Sequence, residues 1–163
     1  EFSSFARMPS PKLKLINITK IITDNIKPIA SSFDAVNIEI DDVIENALVM
    51  ADEKQIRQAC SNLIKNSYEN ITLNNVSNGK ISIFFGIEDD FASVTISDNG
   101  TGIDKSIISK ITEPYYTTKV GNSGLGLAIT KKIIDDHNGT ILIKSLKGSS
   151  GTSVVFKFPL VLQ

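Results

Sequence analysis

Apolar residues along this chain recur with two periods, and the switching between them predicts the order of elements. The helical period appears first in ITKIITDNIKPIASSF, at Ile18, Ile21, Ile22, Ile26 and Ile29, with Pro28 placed to end or kink the helix. It returns from Asp52 to about Ile71. There Ile56, Ala59, Cys60, Leu63, Ile64 and Ser67 form a stripe that faces a sheet, behind Asp52 as N-cap. A third helix, from about Gly124 to His137, turns Leu125, Ala128, Ile129, Ile133 and Ile134 inward and stops at HNG, at Gly139. A short helix is expected over Asp104 to Lys110. The two-residue period marks KLKLINI as a short strand, and VNIEID and NALVMA as two strands with a tight polar connection. KISIFFGI and FASVTISD read as a hairpin around Glu88 to Asp90, and TILIKSL and TSVVFKFP as another around Gly148 to Gly151. Irregular alternation of strands and helices with antiparallel hairpins gives an α+β fold, a mixed sheet covered by helices on one face. Phe2, Phe5 and Met8 also stand at helical spacing until Pro9 and Pro11 forbid continuation. Residues 1–11 are therefore expected to be a helix end and exit segment, and residues 12–163 the domain proper.

Composition narrows the function classes. The chain of 163 residues is 41% hydrophobic and 21% charged, which is globular composition. A net charge of −1 gives no electrostatic footprint for nucleic acid or for an anionic membrane surface. The single cysteine, Cys60, allows no intramolecular disulfide and reads as a small buried hydrophobe. No apolar run approaches the eighteen or so residues of a membrane span, and nothing resembles a signal peptide, so a reducing, cytosolic setting is expected. The abrupt opening EFSSFARMPSP, without an initiator Met, suggests a piece of a longer protein.

The chemistry concentrates in SDNGTGIDKSIISKITEPYYTTKVGNSGLGLAIT. Strand alternation puts Asp98 on the same face as Ala92, Val94 and Ile96. A carboxylate on an apolar face is costly unless a donor meets it, and the exocyclic amine of adenine is one such donor. Gly100 and Gly102 would keep the slot clear of side chains, although DNG is also an ordinary turn sequence. Gly121, Gly124 and Gly126 stand where a loop becomes a helix, whose free N–H groups and positive dipole end suit phosphates, with Lys119 upstream as a point charge. No strand precedes these glycines as a dinucleotide fold would require, and no Gly-Lys-Ser or Gly-Lys-Thr is present. Asn62, Asn66 and Asn70 line one edge of the second helix. Asn66 offers the neutral oxygen that magnesium accepts beside substrate phosphates, or is simply a solvated flank residue. Residues 112–123 carry few apolar side chains and are expected to form a mobile lid. His137 reads as a capping side chain at a helix end.

Taken together and in order, CSNLIKNSYEN, DNGTGI, EPYYTTK, SGLGLAIT and GTSVVFKFP resemble the N, G1, F, G2 and G3 boxes of sensor histidine kinases, over about residues 12 to 160. The resemblance implies the Bergerat (GHKL) fold shared with gyrase B, Hsp90 and MutL, with ATP under a mobile lid. It implies Asn66 as magnesium ligand with Asn62 beside it, and Asp98 as the adenine-reading acid supported by Gly100, Gly102 and Ile103. Thr117, Thr118 and Lys119 would face the phosphates from the lid, Gly124, Leu125 and Gly126 would form the phosphate turn, and Thr152 would follow the last box glycine. Asn62 and Lys119 would serve catalysis. EFSSFARMP is similar to the exit of the dimerisation helices in nitrogen-regulation sensors of the NtrY type. Two departures stand out: Asn122-Ser123 fills the usual Gly-Thr of the phosphate turn, and Glu69 occupies a position where many relatives are basic. No phosphoacceptor histidine box is present. The implied partners are ATP, a dimerisation domain outside this chain and a response regulator. The implied setting is a cytoplasmic domain, monomeric alone, of a homodimeric protein anchored in a bacterial inner membrane. A nucleotide-binding regulatory module, or another ATPase or serine kinase of the same fold, is the alternative.

Overall fold

The structure, a computed structural model, describes residues 5–41, 44–119, 123–145 and 151–162. Expectations resting on Phe2, Gly121, Asn122 and the turn at Gly148 lie outside them. The elements in chain order are β1 (Lys14–Asn17), α1 (Ile18–Ala30), β2 (Val36–Ile40), β3 (Leu48–Ala51) and α2 (Glu53–Thr72). They continue with β4 (Gly79–Glu88), β5 (Phe91–Asp98), α3 (Gly126–Asp136), β6 (Thr140–Ser145) and β7 (Thr152–Pro159). Strands β2-β4-β5-β7-β6 form one sheet, in which β2 runs parallel to β4 and the remaining neighbours are antiparallel. The α+β architecture expected from the pattern is thus observed.

The helices cover one face of this sheet. Ile81, Ile83, Val94, Ile96, Val154, Phe156 and Phe158 point toward them and are buried with Ile18, Ile22, Ile56, Leu63 and Ile64 in one core. On the opposite face Phe84 and Leu142 are exposed. Cys60 is fully buried and free, and burial pushes its thiol up to about 12, as its place in the apolar stripe requires.

Three details depart from the sequence pattern. VNIEID and NALVMA are both strands, but they do not pair: β2 joins β4, while β3 pairs antiparallel with β1 in a separate two-stranded sheet. The intervening helix α1 makes that arrangement local, because Asn17 caps it and the Ile18 N–H donates to the Ala47 carbonyl (3.0 Å). Residues 105–112 form successive turns rather than a helix: most of their bonds, such as Lys110 N–H to the Ile107 carbonyl, close three-residue steps, and the single four-residue bond, Ile111 N–H to the Ile107 carbonyl, is not continued. Pro28 neither ends nor breaks α1, which runs on to Ala30.

The back of the domain is tied together through Asp52 and His137. Asp52 Oδ1 accepts the N–H groups of Lys54 (3.0 Å) and Gln55 (3.2 Å), and Oδ2 accepts the N–H of Lys12 (2.8 Å). These bonds, Lys12's first, hold its carboxyl below the usual carboxylate range. His137 is more than a cap. Its Nδ1 lies 2.6 Å from the Ile133 carbonyl, while Nε2 accepts the Asp52 N–H at 3.0 Å. A carbonyl on one nitrogen and an amide on the other fix the neutral Nδ1–H tautomer. The left-handed residue that stops α3 is Asn138 (φ 56°) rather than Gly139. Gly139 is needed for room, since a Cβ there would meet the Lys157 carbonyl at 2.5 Å.

Candidate functional site

A cleft of about 1210 Å³ opens between α2, the G1 segment after β5, residues 107–119 and the start of α3. Of the residues expected to form a site, Asn62, Asn66, Asp98, Gly102, Ile103 and Thr117 line it. Thr118, Lys119, Gly124, Leu125, Gly126 and Thr152 line it as well. Gly100 does not. It sits behind Asp98, where a Cβ would lie 2.9 Å from Asp98 Oδ1 and 3.1 Å from Asn70 Cβ, so its missing side chain lets the turn pass against α2.

The inner end is built by strand register. Asp98 closes β5 and is 5% exposed. β7 places Thr152 directly opposite it. Burial raises the Asp98 pKa above the ordinary carboxylate range, against bonds from the Gly100 N–H (2.9 Å), the Ser67 hydroxyl and the Thr152 N–H and against the charge of Lys119. Ser67 belongs to the apolar stripe of α2 by spacing, and its role beside Asp98 had no signal in the sequence. Neither did that of Ser145 on β6, whose hydroxyl accepts the Ile103 N–H at 3.2 Å. Gly102 turns there with φ 78°, and a Cβ would meet Ser145 Oγ at 2.8 Å.

The outer end is looser in construction. Asn62 donates through Nδ2 to the Gly126 carbonyl (3.3 Å), joining α2 to the first turn of α3. Lys119 reaches back across the cleft to Glu69 on α2, with Nζ 2.8 Å from Oε2. Thr117 Oγ1 accepts the Lys119 N–H at 3.0 Å and shapes the turn that carries this lysine. Gly124 has φ 72°, and a Cβ there would come within 2.5 Å of Tyr115, so the two arms of the loop touch where it has no side chain. Around Gly126 nothing lies within 4 Å of a Cβ position, and the helix start faces open space.

Whether these residues suit a nucleotide and a magnesium ion can be read from the donor set. Thr152 Oγ1 is buried without a hydrogen-bond partner at the inner end, an acceptor-donor left for a ligand. Among the described residues no cluster of three or more His, Cys, Asp or Glu could cage a metal. A cation here would rest on carboxamide oxygens such as that of Asn66 and on substrate oxygens, which is the coordination magnesium tolerates. The residues fit.

Residues 51–162 match the family described as histidine kinase-, DNA gyrase B-, and HSP90-like ATPase. The chain belongs to this ATPase family. An NtrY-like sensor histidine kinase of Rickettsia conorii is 34% identical over 160 residues, which is 98% of this chain and 26% of that relative. The histidine protein kinase AtoS of Escherichia coli is 28% identical over 151 residues. The solved catalytic domain of the histidine kinase ThkA superposes with a TM-score of 0.76 at 27% identity, covering 91% of this chain and 96% of that domain. This member of the family therefore spans about a quarter of its NtrY-like relatives' length and nearly all of a kinase catalytic domain. Among the described residues no helix is long and apolar enough to cross a membrane.

Proposed function

We propose that this domain binds ATP with magnesium in the cleft and transfers its γ-phosphoryl group to a histidine on a dimerisation domain outside this chain. The observation that carries the reading is Asp98, a carboxylate buried at the inner end of the cleft beside the unpartnered Thr152 hydroxyl. A buried carboxylate with room in front of it selects a ligand that brings a donor, and the adenine amine fits that demand. The triphosphate would then run outward toward Asn66, Asn62 and the start of α3. There the helix N–H groups and Lys119 neutralise developing charge. Magnesium held on Asn66, with Asn62 beside it, would supply charge neutralisation at the phosphate oxygens. Thr117 holds the turn that presents Lys119, with Thr118 between them, and Gly124 lets Tyr115 and Tyr116 pass close before Leu125 and α3. Gly102 and Ile103 would shape the base slot, with Gly100 behind Asp98.

The similarity to NtrY-like kinases supports a place in a membrane-anchored, dimeric sensor kinase of the nitrogen-regulation type, with a response regulator as final acceptor. ThkA, which shares the fold, is solved in complex with the response regulator protein TrrA. Residues 1–11 would then be the exit from the dimerisation helices and residues 12–163 the catalytic domain. Gln55 Nε2 donates to the Pro9 carbonyl (3.0 Å), which fastens the exit segment to α2.

The reaction needs an acceptor imidazole in line with the γ-phosphate. His137, the single histidine, is buried with both ring nitrogens engaged, so the chain alone should incorporate no phosphohistidine. Incubation with labelled ATP and alkaline work-up tests this. The expected result is no label on the isolated chain and slow labelling of an added matching dimerisation domain. Label on His137, or none on the added domain while ATP is bound, would overturn the proposal.

A further inference from the structure

The ion pair between Lys119 and Glu69 places a carboxylate at the phosphate end of a cleft read as a nucleotide site. We propose that Glu69 makes nucleotide binding depend on a divalent cation, repelling free ATP and admitting the magnesium complex. The inference rests on the Mg-ATP reading of the cleft and assigns a residue that this reading does not need.

Glu69 follows Asn66 by three positions on α2, so both side chains lie on neighbouring positions of one helix flank, and both line the cleft. The Glu69 and Lys119 side chains are 19% and 21% exposed, with Nζ 2.8 Å from Oε2. Lys65 also approaches Glu69, at 3.9 Å, but is 72% exposed and contributes little once screened by water and salt. Lys119 cannot satisfy the carboxylate and a triphosphate fully at once. When phosphate oxygens draw Lys119 away, the Glu69 carboxylate keeps its negative charge beside them in a partly buried place, where repulsion is poorly screened. A divalent cation reverses the sign of that encounter, because a carboxylate is a hard oxygen donor toward it, directly or through a bound water. The carboxamides of Asn62, Asn66 and Asn70 are neutral and produce no such contrast. Glu69 therefore acts against bare ATP and with metal-bound ATP, and in the absence of nucleotide it holds the lysine end of the loop against α2.

The test is calorimetric titration of ATP into the chain, in magnesium and in EDTA, for the wild type, E69Q and K119Q, with circular dichroism to confirm folding. Wild type should bind more tightly in magnesium. E69Q removes the charge at constant shape, and its affinity in EDTA should rise about tenfold while its affinity in magnesium stays level or falls, so the ratio between the two media shrinks. K119Q approaches the same point from the loop, where folding of the core is not at stake. It should weaken binding in both media and more in EDTA, widening the ratio. An unchanged ratio in E69Q, or an unchanged or narrowed one in K119Q, overturns the role of Glu69 while leaving the nucleotide site intact. Absence of ATP binding by the wild type in both media removes the nucleotide site and this inference together.

Discussion

The two ends of the cleft are made by different means. At the inner end, Asp98, Thr152 and Ser145 are placed by the register of adjacent strands, and every partner of Asp98 comes from a strand, its turn or the buried face of α2, apart from the distant charge of Lys119. At the outer end, Thr117 and Lys119 lie outside helix and strand, and among the described residues the lysine is held by polar contacts such as the ion pair to Glu69 at 2.8 Å and the N–H bond to Thr117 Oγ1 at 3.0 Å. Strand register is enforced by the whole hydrophobic face of a sheet, so the inner end cannot shift without displacing core residues. A loop held by a few polar contacts opens at little cost. On the proposed reading, the ligand would be recognised by a wall fixed in the core and covered by an arm held through polar contacts.

The largest effect should come from the rigid end. Asp98→Asn keeps an oxygen for the Gly100 N–H but removes the charge that strengthens a bond to an adenine amine, a loss of about 1.5–3 kcal/mol or roughly ten- to a hundredfold in ATP affinity. Stability should not fall with it. Because burial raises the Asp98 pKa, the folded state carries the cost of the charge at neutral pH, and that cost is relieved as pH falls through the raised value. Denaturation curves should therefore show Asp98→Asn equal to or more stable than wild type at neutral pH, with the gap closing in acid. A variant that loses stability and affinity together would mean that Asp98 is structural.

Gly124→Ala probes the movable end. The position has φ 72° and Tyr115 within 2.5 Å of a Cβ, so the substitution should cost about 1–3 kcal/mol of local strain. It should be relieved by release of the loop rather than by loss of the core. Hydrogen exchange should then rise over residues 112–119 and stay level in β5 and β7. Uniform destabilisation would deny the division between the ends.

Asp52→Ala is the control away from both ends. Loss of the N-cap of α2 should lower stability by about 0.5–2 kcal/mol with ATP affinity unchanged. Its pH sign is opposite to that of Asp98. A depressed carboxylate stabilises above the usual range and loses that contribution as pH falls through its folded value, so the difference from wild type should shrink in acid. The smallest effect is expected in wild type itself, as a rise in protection of residues 112–119 when ATP and magnesium are added. Equal protection with and without nucleotide would remove the lid from the account.

How far the sequence foretold this arrangement depended on how local each cause is. The helices α2 and α3 were legible because their apolar stripes and the Asp52 cap lie within a few turns of chain. The inward face of Asp98 followed from alternation within a single strand. What could not be read were relations set by pairing. β2 and β3 are consecutive and strand-like, yet pairing depends on the partners β4 and β1 chosen across intervening helices. Ser67 and Ser145 gain their roles from residues 31 and 42 positions away, Asp98 and Ile103, and small polar residues leave no periodic trace, whereas Thr152 was named through the resemblance. The Glu69 position was legible as a departure from relatives, while its pairing with Lys119 was not, because 50 residues of chain separate the two.

The central claim is that Asp98 reads the amine of adenine, and guanine tests it most directly. At the corresponding position guanine presents a carbonyl oxygen, which sets an acceptor against a carboxylate and leaves both without a donor. Titration of ATP and GTP into wild type and Asp98→Asn, in magnesium, should give a preference of about a hundredfold or more for ATP in wild type. In the variant, whose amide can both donate and accept, that preference should collapse to within a few fold. Equal affinities in wild type, or a preference that survives the substitution, would contradict the claim.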